Sequence, residues 1–509
     1  MRFQYQHNSS LPRLAWGAVL NSDGILVHHG SGVETHPDFF VEGAWDGPFK
    51  DGGFEQAVTF TGTGARIHGD MIRFSSPSHN LERCYSLSKG HSLYLSNSLA
   101  FVMTMADERL KPDYPFYYFD FIRCYRTGLR QRNQGIKTLD NLKVTFHDCH
   151  NIDIRNSKII QQQMRDFGRA PMSFDEYHKI MLDTTRHVFS NAADPARHVR
   201  YKPLASISTG YDSPATSVLS ADAGCEDAFT FRRSNANDSS IYQDDNGQFI
   251  ARQLGLNCEV HDRINLCDAR PDLLKLHFQN PFGSIVSSMD QASDLLLNRI
   301  FVTGRHGEHF WSLDPARSLP WYQEPTARKT LVQNTLEFRL DRGYIDFHLP
   351  YTCGVFAPSL LKISRSDEMA AFRIGGNYDR PIPRRIVEQA GVSREQFGLE
   401  KKGGAEDIPA LCTFSEESKT DFNAFYETYV PDSIINTQRH SKRGRFGYYE
   451  HGFSHGLDRW LRTQYGLRTI SEYVLGFRNH QRRYSPYLYA FHWGFEFVAE
   501  RYRQVLRKT

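Results

Sequence analysis

The residues with the clearest chemical potential lie between positions 208 and 213, in the sequence Ser-Thr-Gly-Tyr-Asp-Ser. The apolar run at residues 204–207 predicts a buried strand before them, and Pro214 suits the first position of a helix. Backbone N–H groups and the helix dipole converge at such a strand–turn–helix junction, which favours an anion. Ser208 and Ser213 can donate hydroxyls to a phosphate, and Asp212 can hold Mg²⁺ beside it. An ordinary turn of small residues is the alternative.

This segment resembles the Ser-Gly-Gly-x-Asp-Ser pyrophosphate loop (PP-loop) of the N-type ATP pyrophosphatases, the group that includes asparagine synthetase. Thr209 stands where the family usually has its first glycine. A β-branched residue is poorly suited to a positive φ, so we expect a slightly remodelled loop if that position requires one. The resemblance implies ATP as the cofactor, and the residues expected to contact it are Ser206, Ser208, Thr209, Gly210, Tyr211, Asp212, Ser213, Phe231 and Gly304.

A second stretch, residues 301–311, also reads as a strand that feeds a turn of small residues. It resembles the family segment Leu-Ser-Gly-Glu-Gly-x-Asp-Glu-Leu-Phe, which implies that Gly304 keeps the turn and that Glu308 joins Asp212 in binding Mg²⁺. Arg305 and His306 depart from the family's Glu-Gly. The alternative is zinc on His306 and His309, but a His-x-x-His spacing without the His-Glu-x-x-His frame is a weak zinc signal. The sequence therefore favours magnesium.

Two further candidates follow from the same resemblance, and both are expected to be catalytic. Glu337, in Leu-Glu-Phe-Arg-Leu, is similar to the glutamate before the family's substrate pocket and would position an amine or accept its proton. An ion pair between Glu337 and Arg339 is the alternative. Lys401, in Phe-Gly-Leu-Glu-Lys-Lys-Gly, matches the lysine that contacts the phosphates during adenylation, with Lys402 or a solvated lysine pair as alternatives.

The elements that must position these residues differ between the two parts of the chain. Residues 1–165 are predicted to form a mostly β domain, because short apolar segments alternate with Gly-, Asp- and Asn-containing turns. Residues 166–509 begin with a capping box, Ser173 to Glu176, and continue with alternating strands and helices. Such alternation predicts an α/β fold with a doubly wound parallel sheet, with ligands at the carboxyl ends of the strands. Asp244 or Asp245 is similar in position to an acidic residue that the family has early in the helix after the second strand. The alternative is an acid favoured by the dipole at a helix N-terminus.

Composition narrows the classes of protein. With 509 residues the chain is long enough for two or three domains, and a formal net charge of +3 argues against nucleic acid or a membrane surface as a partner. The chain has no run of 18 apolar residues, which a membrane-spanning helix would require. The first residues do not resemble a secretory signal. Eight cysteines without a Cys-x-x-Cys pair fit a cytoplasmic protein. The oligomeric state is open, with a homodimer among the options.

The resemblance implies an ATP-dependent, AMP-forming carbon–nitrogen ligase that joins a carboxylate to an amine or ammonia. In asparagine synthetases the N-terminal domain is a glutaminase with a terminal cysteine nucleophile. This sequence begins Met-Arg and its first cysteine is Cys84, so we expect a degenerate domain without glutaminase activity. A non-catalytic ATP-binding scaffold is one alternative. A PP-loop enzyme of sulfur transfer or tRNA modification is the other.

Overall fold

The structure of the chain is a computed structural model. It describes residues 2–117, 120–121, 124, 134–234, 244–263, 269–278, 284–285, 293–315, 335–376, 378–400, 406–407, 414–435 and 486–508. Lys401 and Lys402 lie outside the described residues, so their predicted roles stay predictions.

The N-terminal region is rich in antiparallel strands, as the sequence predicted. Thirteen of the strands described lie there: β1 (Phe3–His7), β2 (Trp16–Asn21), β3 (Gly24–His29), β4 (Glu34–Thr35), β5 (Phe39–Trp45), β6 (Phe60–His68), β7 (Met71–Ser75), β8 (Cys84–Lys89), β9 (Ser92–Ser96), β10 (Gly135–Lys137), β11 (Lys143–His147), β12 (His150–Arg155) and β13 (Lys158–Met164). They form a seven-stranded sheet, β1-β3-β2-β9-β8-β11-β10, and a six-stranded sheet, β13-β12-β7-β6-β5-β4. Only the β1–β3 pair is parallel among these pairings.

The two sheets share one apolar core. Trp16 of the larger sheet contacts Phe40 and Phe74 of the smaller one, with ring centroids 5.0 and 5.8 Å apart. All three side chains are fully buried. Helix α1 (Leu99–Met105) begins at Ser98, whose hydroxyl accepts the Phe101 N–H as an N-cap. Burial of one face of each sheet against the other explains the alternating pattern of the strands.

A five-stranded parallel sheet forms the centre of the second region, which confirms the expected mixed α/β character. Its strands are β14 (Lys202–Ser206), β15 (Asp227–Phe231), β16 (Asn257–His261), β18 (Arg299–Thr303) and β19 (Ile345–His348), in the order β16-β15-β14-β18-β19. The short strands β17 (Ser284–Ile285) and β20 (Glu406–Asp407) pair separately. Because the strands are parallel, their carboxyl ends lie at one edge, with β14 in the middle.

Helices connect and cover this sheet. They are α2 (Phe174–Ala192), α3 (Asp212–Asp222), α4 (Gln248–Gln253), α5 (Pro271–His277), α6 (Ser293–Leu296), α7 (Gly307–Phe310), α8 (Leu336–Arg342), α9 (Ala357–Arg365), α10 (Pro381–Gln389), α11 (Glu416–Tyr429) and α12 (Ala490–Leu506). Short 3₁₀ helices cover Phe49–Asp51, Leu349–Thr352, Gly354–Phe356, Asp367–Phe372 and Pro486–Tyr489. The Ser173 hydroxyl accepts the Glu176 N–H at the start of α2, as the capping box predicts, whereas the Glu176 carboxylate accepts the N–H of Met172 rather than that of Ser173. None of the helices in the described part of the chain has the length and apolar character that crossing a bilayer requires.

A buried charge cluster joins the two regions. Arg339 of α8 donates to the Glu42 carboxylate of β5 at 2.9 and 3.2 Å, and its Nε lies 2.6 Å from Glu82 Oε1. All three side chains are at most 3% exposed. Burial raises the pKa of the Glu82 carboxyl, while Arg339 opposes that rise. One guanidinium therefore contacts two carboxyl groups that are almost completely buried.

We predict that Arg339→Met destabilises the protein by about 3–5 kcal/mol, because removing one partner leaves buried carboxylates without their cation. Arg155→Met is the matched control, since the Arg155–Asp70 pair is exposed (48% and 74%) and such pairs contribute about 1 kcal/mol or less. The free energy of unfolding in urea checks both. Equal losses in the two variants would show that the buried cluster does not hold the regions together.

Candidate functional site

The loop of residues 208–213 follows the central strand β14 and leads directly into α3. Strand β14 pairs in parallel with β15 on one side and with β18 on the other. The loop therefore lies at the carboxyl edge of the sheet, between the neighbouring strand ends. Ser206 ends β14, where its hydroxyl donates to the Val302 carbonyl at 3.3 Å. Phe231 ends β15, and the Arg263 guanidinium lies 4.6 Å from the centre of its ring.

Two serine hydroxyls face each other inside this loop. Ser208 Oγ and Ser213 Oγ are 2.7 Å apart, and the Gly210 N–H donates to Ser208 Oγ at 3.2 Å. Hydroxyl groups can rotate toward a different acceptor at small cost. The loop therefore gathers two hydroxyls and a backbone donor in one place, which is the donor set that a phosphate oxygen requires.

Thr209 sits in the loop without backbone strain, so the condition under which a remodelled loop was expected does not hold. Its φ is not among the positive ones, so a β-branched residue is acceptable. Its N–H and its hydroxyl both donate to Asp245 Oδ1, at 3.1 and 2.9 Å, and its carbonyl accepts the Gly398 N–H at 2.8 Å. Helix α4 begins at Gln248, so Asp245 precedes the helix and holds the loop.

Tyr211 anchors the loop through its side chain. The ring is fully buried and packs against Tyr378 and Phe397, with centroids 4.8 and 5.9 Å away. Arg384 donates to the phenol oxygen and stacks over the ring, 5.0 Å from its centre. Tyr211 was predicted to contact ATP, and its side chain is committed to these neighbours, with the whole residue 0% exposed. The side chain fixes the conformation of the neighbouring residues.

Two glycines bring the second predicted stretch against the first. A Cβ added at Gly304 would lie 2.5 Å from the Asp212 carbonyl carbon and 2.7 Å from the Ser213 nitrogen. A Cβ added at Gly307 would lie 2.7 Å from the Asp212 carboxylate. Any larger residue would push the two loops apart. The absence of a side chain thus places the turn before Glu308 beside Asp212.

Arg380 supplies the main cation of the described site. Its Nη1 lies 2.5 Å from Asp212 Oδ1, and the residue is only 4% exposed. Burial alone would lower the pKa of the Arg380 guanidinium, but the charge and the hydrogen bond of Asp212 raise it, with smaller contributions from Tyr378 and Glu308. Both predicted metal ligands therefore act on one guanidinium. Their shared negative charge fits a divalent cation, with Arg380 available to turn toward a phosphate.

Glu337 lies in a different environment from the loop. Its carboxylate accepts hydrogen bonds from Ser98 at 2.5 Å and from Tyr502 of α12 at 3.1 Å, and the residue is 2% exposed. Arg339 contacts Glu42 and Glu82, so the alternative of a Glu337–Arg339 ion pair is wrong. Burial raises the pKa of the Glu337 carboxyl to about 7, which suits a group that exchanges protons near neutral pH.

Arg380 and Asp245 are functional candidates that sequence reasoning did not single out correctly. Arg380 follows Tyr378 in a loop rich in arginine and proline, and no spacing rule connects it with Asp212, which lies 168 positions earlier. Asp245 was left as an alternative to Asp244, either as the match to the family's acidic residue or as a helix N-terminal acid. Its signal would have been the Asp-Asp pair opposite a loop whose first glycine is replaced by threonine, a residue that brings an extra hydroxyl donor.

The comparisons with known proteins do not assign this chain to a family. No protein-family model matches it, and no curated protein gives a significant sequence match.

We predict a pH-dependent gain of stability for Glu337→Gln. The pKa of Glu337 is about 7 in the folded chain and about 4.3 when exposed. The folded protein therefore holds a proton in this interval that the unfolded chain releases. The contribution of the carboxyl to stability is full below about pH 4 and is lost as the pH rises through 7. Glutamine cannot ionise, so the variant should gain stability relative to the unmodified protein, by roughly 3 kcal/mol across this range.

Thermal unfolding of both proteins at pH 5 and pH 8 measures this change. The exposed Glu417→Gln variant is the control for removing one negative charge. If the Glu337→Gln difference is the same at both pH values, the carboxyl does not titrate in that interval.

Proposed function

We propose that the protein is an ATP-dependent, AMP-forming ligase of the asparagine synthetase type, with a doubly wound PP-loop fold. The observation that carries the proposal is the position of the 208–213 loop. It gathers the Ser208 and Ser213 hydroxyls at the carboxyl end of the central strand, beside Asp212 and Arg380. That edge of a parallel sheet is where nucleotides bind in open α/β folds.

The roles of the residues follow from their chemistry. Ser208, Gly210 and Ser213 donate to the β- and γ-phosphates, and Arg380 neutralises phosphate charge once it leaves Asp212. Asp212 and Glu308 would hold Mg²⁺, which would supply positive charge for the separation of pyrophosphate from the α-phosphate. Carboxylates that share one buried guanidinium fit such an ion.

The reaction has two steps in this proposal. An oxygen of a substrate carboxylate attacks the α-phosphorus of ATP, the bond to the β-phosphate breaks, and pyrophosphate leaves. The nitrogen of an amine or of ammonia then attacks the acyl carbon, AMP leaves, and the nitrogen loses a proton to form the amide. Glu337, with a pKa raised to about 7, is the predicted acceptor of that proton.

The proposal includes the absence of glutaminase activity. Nucleophilic attack on glutamine requires a thiolate, and burial raises the pKa of the thiols of Cys84 and Cys149 well above the ordinary value. These two cysteines of the N-terminal region are therefore unsuited to the reaction. Free ammonia or an amine is the expected nitrogen source.

The two alternatives differ from the ligase in what they require. Sulfur transfer needs a reactive thiol or persulfide near the nucleotide, yet burial raises the pKa of Cys225 to about 11 and that of Cys353 to about 12. This favours nitrogen transfer over sulfur transfer for the described cysteines. A non-catalytic scaffold would bind ATP without cleaving it, so product analysis separates it from the ligase. The cytoplasmic location stays a prediction.

We predict cleavage of ATP between the α- and β-phosphates. With ATP, Mg²⁺ and a panel of carboxylates and amines, the protein should release AMP and pyrophosphate in equal amounts. Asp212→Asn should lose most of this activity, because its charge is needed for the cation. The exposed Asp222→Asn, at the other end of the same helix, should retain it. Release of ADP and phosphate would contradict the proposal.

We also predict that Lys401 stabilises charge in the transition state, as the resemblance implies. Lys401→Ala should lower kcat about 10²-fold with little effect on ATP affinity, which is the loss typical of deleting one such donor. Lys402→Ala is the matched control and should change kcat little. A loss confined to Lys402→Ala would place the catalytic lysine one position later, and no loss in either variant would remove the role.

A further inference from the structure

Three side chains with metal-binding atoms come together at the start of α7. His306, Glu308 and His309 each place one possible ligand atom within 4.8 Å of the others. The two imidazole rings are 5.7 Å apart and nearly parallel, at 23°, and Glu308 Oε1 lies 3.9 Å from His309 Nε2. Two nitrogen donors and one carboxylate therefore face a common space.

The backbone is bent to produce this arrangement. His306 has a φ of 63°, in the left-handed region that costs a residue with a side chain about 1 kcal/mol or more. Its carbonyl accepts the His309 N–H at 2.9 Å, which closes the turn. In the sequence these residues are only a weak zinc signal, because the His-x-x-His spacing lacks the His-Glu-x-x-His frame. The left-handed turn is what brings both rings to one side.

The chemistry of this donor set differs from that of a magnesium site. Mg²⁺ prefers oxygen ligands and keeps several waters, whereas imidazole nitrogens favour zinc and its neighbours in the first transition series. Bonds from zinc to nitrogen or oxygen are about 2.0–2.2 Å long. Two atoms on one such ion are at most about 4.4 Å apart, so atoms already within 4.8 Å of one another need to move closer only slightly to share it. Three protein ligands also leave a coordination position open, as in catalytic zinc sites.

We propose that His306, Glu308 and His309 bind a divalent ion of the zinc type. The ion would lie beside the loop of residues 208–213, because Gly307 packs against the Asp212 carboxylate. Only the use of this ion in catalysis rests on the proposed function; the binding itself does not. Glu308 has two carboxylate oxygens. One oxygen can bind this ion while the other binds a magnesium ion that is shared with Asp212, as in two-metal sites.

Cobalt titration of the full-length protein tests the site, without ATP and after removal of metals with a chelator. Co²⁺ serves as the probe because its visible spectrum reports the number and geometry of its ligands, and Zn²⁺ should displace it at one ion per chain. A large excess of Mg²⁺ should not displace it. His306→Gln and His309→Gln should each weaken Co²⁺ binding at least about tenfold, the loss typical even of residues that only support a metal ligand. His91→Gln, on an exposed histidine, is the control.

His309 is only 8% exposed, so circular dichroism and thermal unfolding must show that the His309→Gln variant folds. If it does not fold, the variant of the half-buried His306 provides the test. Unchanged Co²⁺ binding in the His306 variant, or displacement by Mg²⁺ as effective as by Zn²⁺, would overturn the proposal. AMP formation is measured separately. Metal binding without AMP formation would contradict only the proposed ligase activity. AMP formation without metal binding would contradict only the proposed metal site.

Discussion

The close approach of two backbones, at Gly304 and Gly307, is the constraint on which the candidate site depends. Neither position has room for a Cβ, because a Cβ added at either glycine would lie less than 3 Å from atoms of Asp212 or Ser213. Their small size, rather than an unusual φ, is what matters, since neither glycine has a positive φ. This contact brings the turn before Glu308 against Asp212, which pairs with Arg380. Without it, Asp212 and Glu308 would belong to different surfaces.

A second constraint acts at a distance from the loop. The Arg339 guanidinium holds Glu42 and Glu82 of the antiparallel region, and the adjacent Glu337 contacts Ser98 and Tyr502. Helix α8 is thus fixed by charge and hydrogen bonds from both ends of the chain. Since removing one member of such a cluster costs more than forming it gains, these residues depend on one another. The N-terminal region therefore contributes to the position of α8, whatever else it does.

The elements could be predicted from the sequence where local rules govern them. The capping box at Ser173, the strand before the loop and the alternation that predicts a parallel sheet all depend on residues close in the chain. The sequence placed β14 at residues 204–207, and it covers Lys202–Ser206. Contacts between distant residues were missed. The Arg380–Asp212 pair and the Asp245–Thr209 hydrogen bonds depend on how separate loops meet, and no local spacing encodes that.

The measurement that tests the central claim most directly is a crystal structure of the protein with α,β-methylene ATP, an analogue that cannot release pyrophosphate. The account predicts that its β- and γ-phosphates lie within hydrogen-bonding distance of the residue 208–213 amides and of the Ser208 and Ser213 hydroxyls. Arg380 should then have left Asp212 for a phosphate oxygen. An analogue bound elsewhere in the chain, or a loop that binds no phosphate at saturating analogue, would contradict the account.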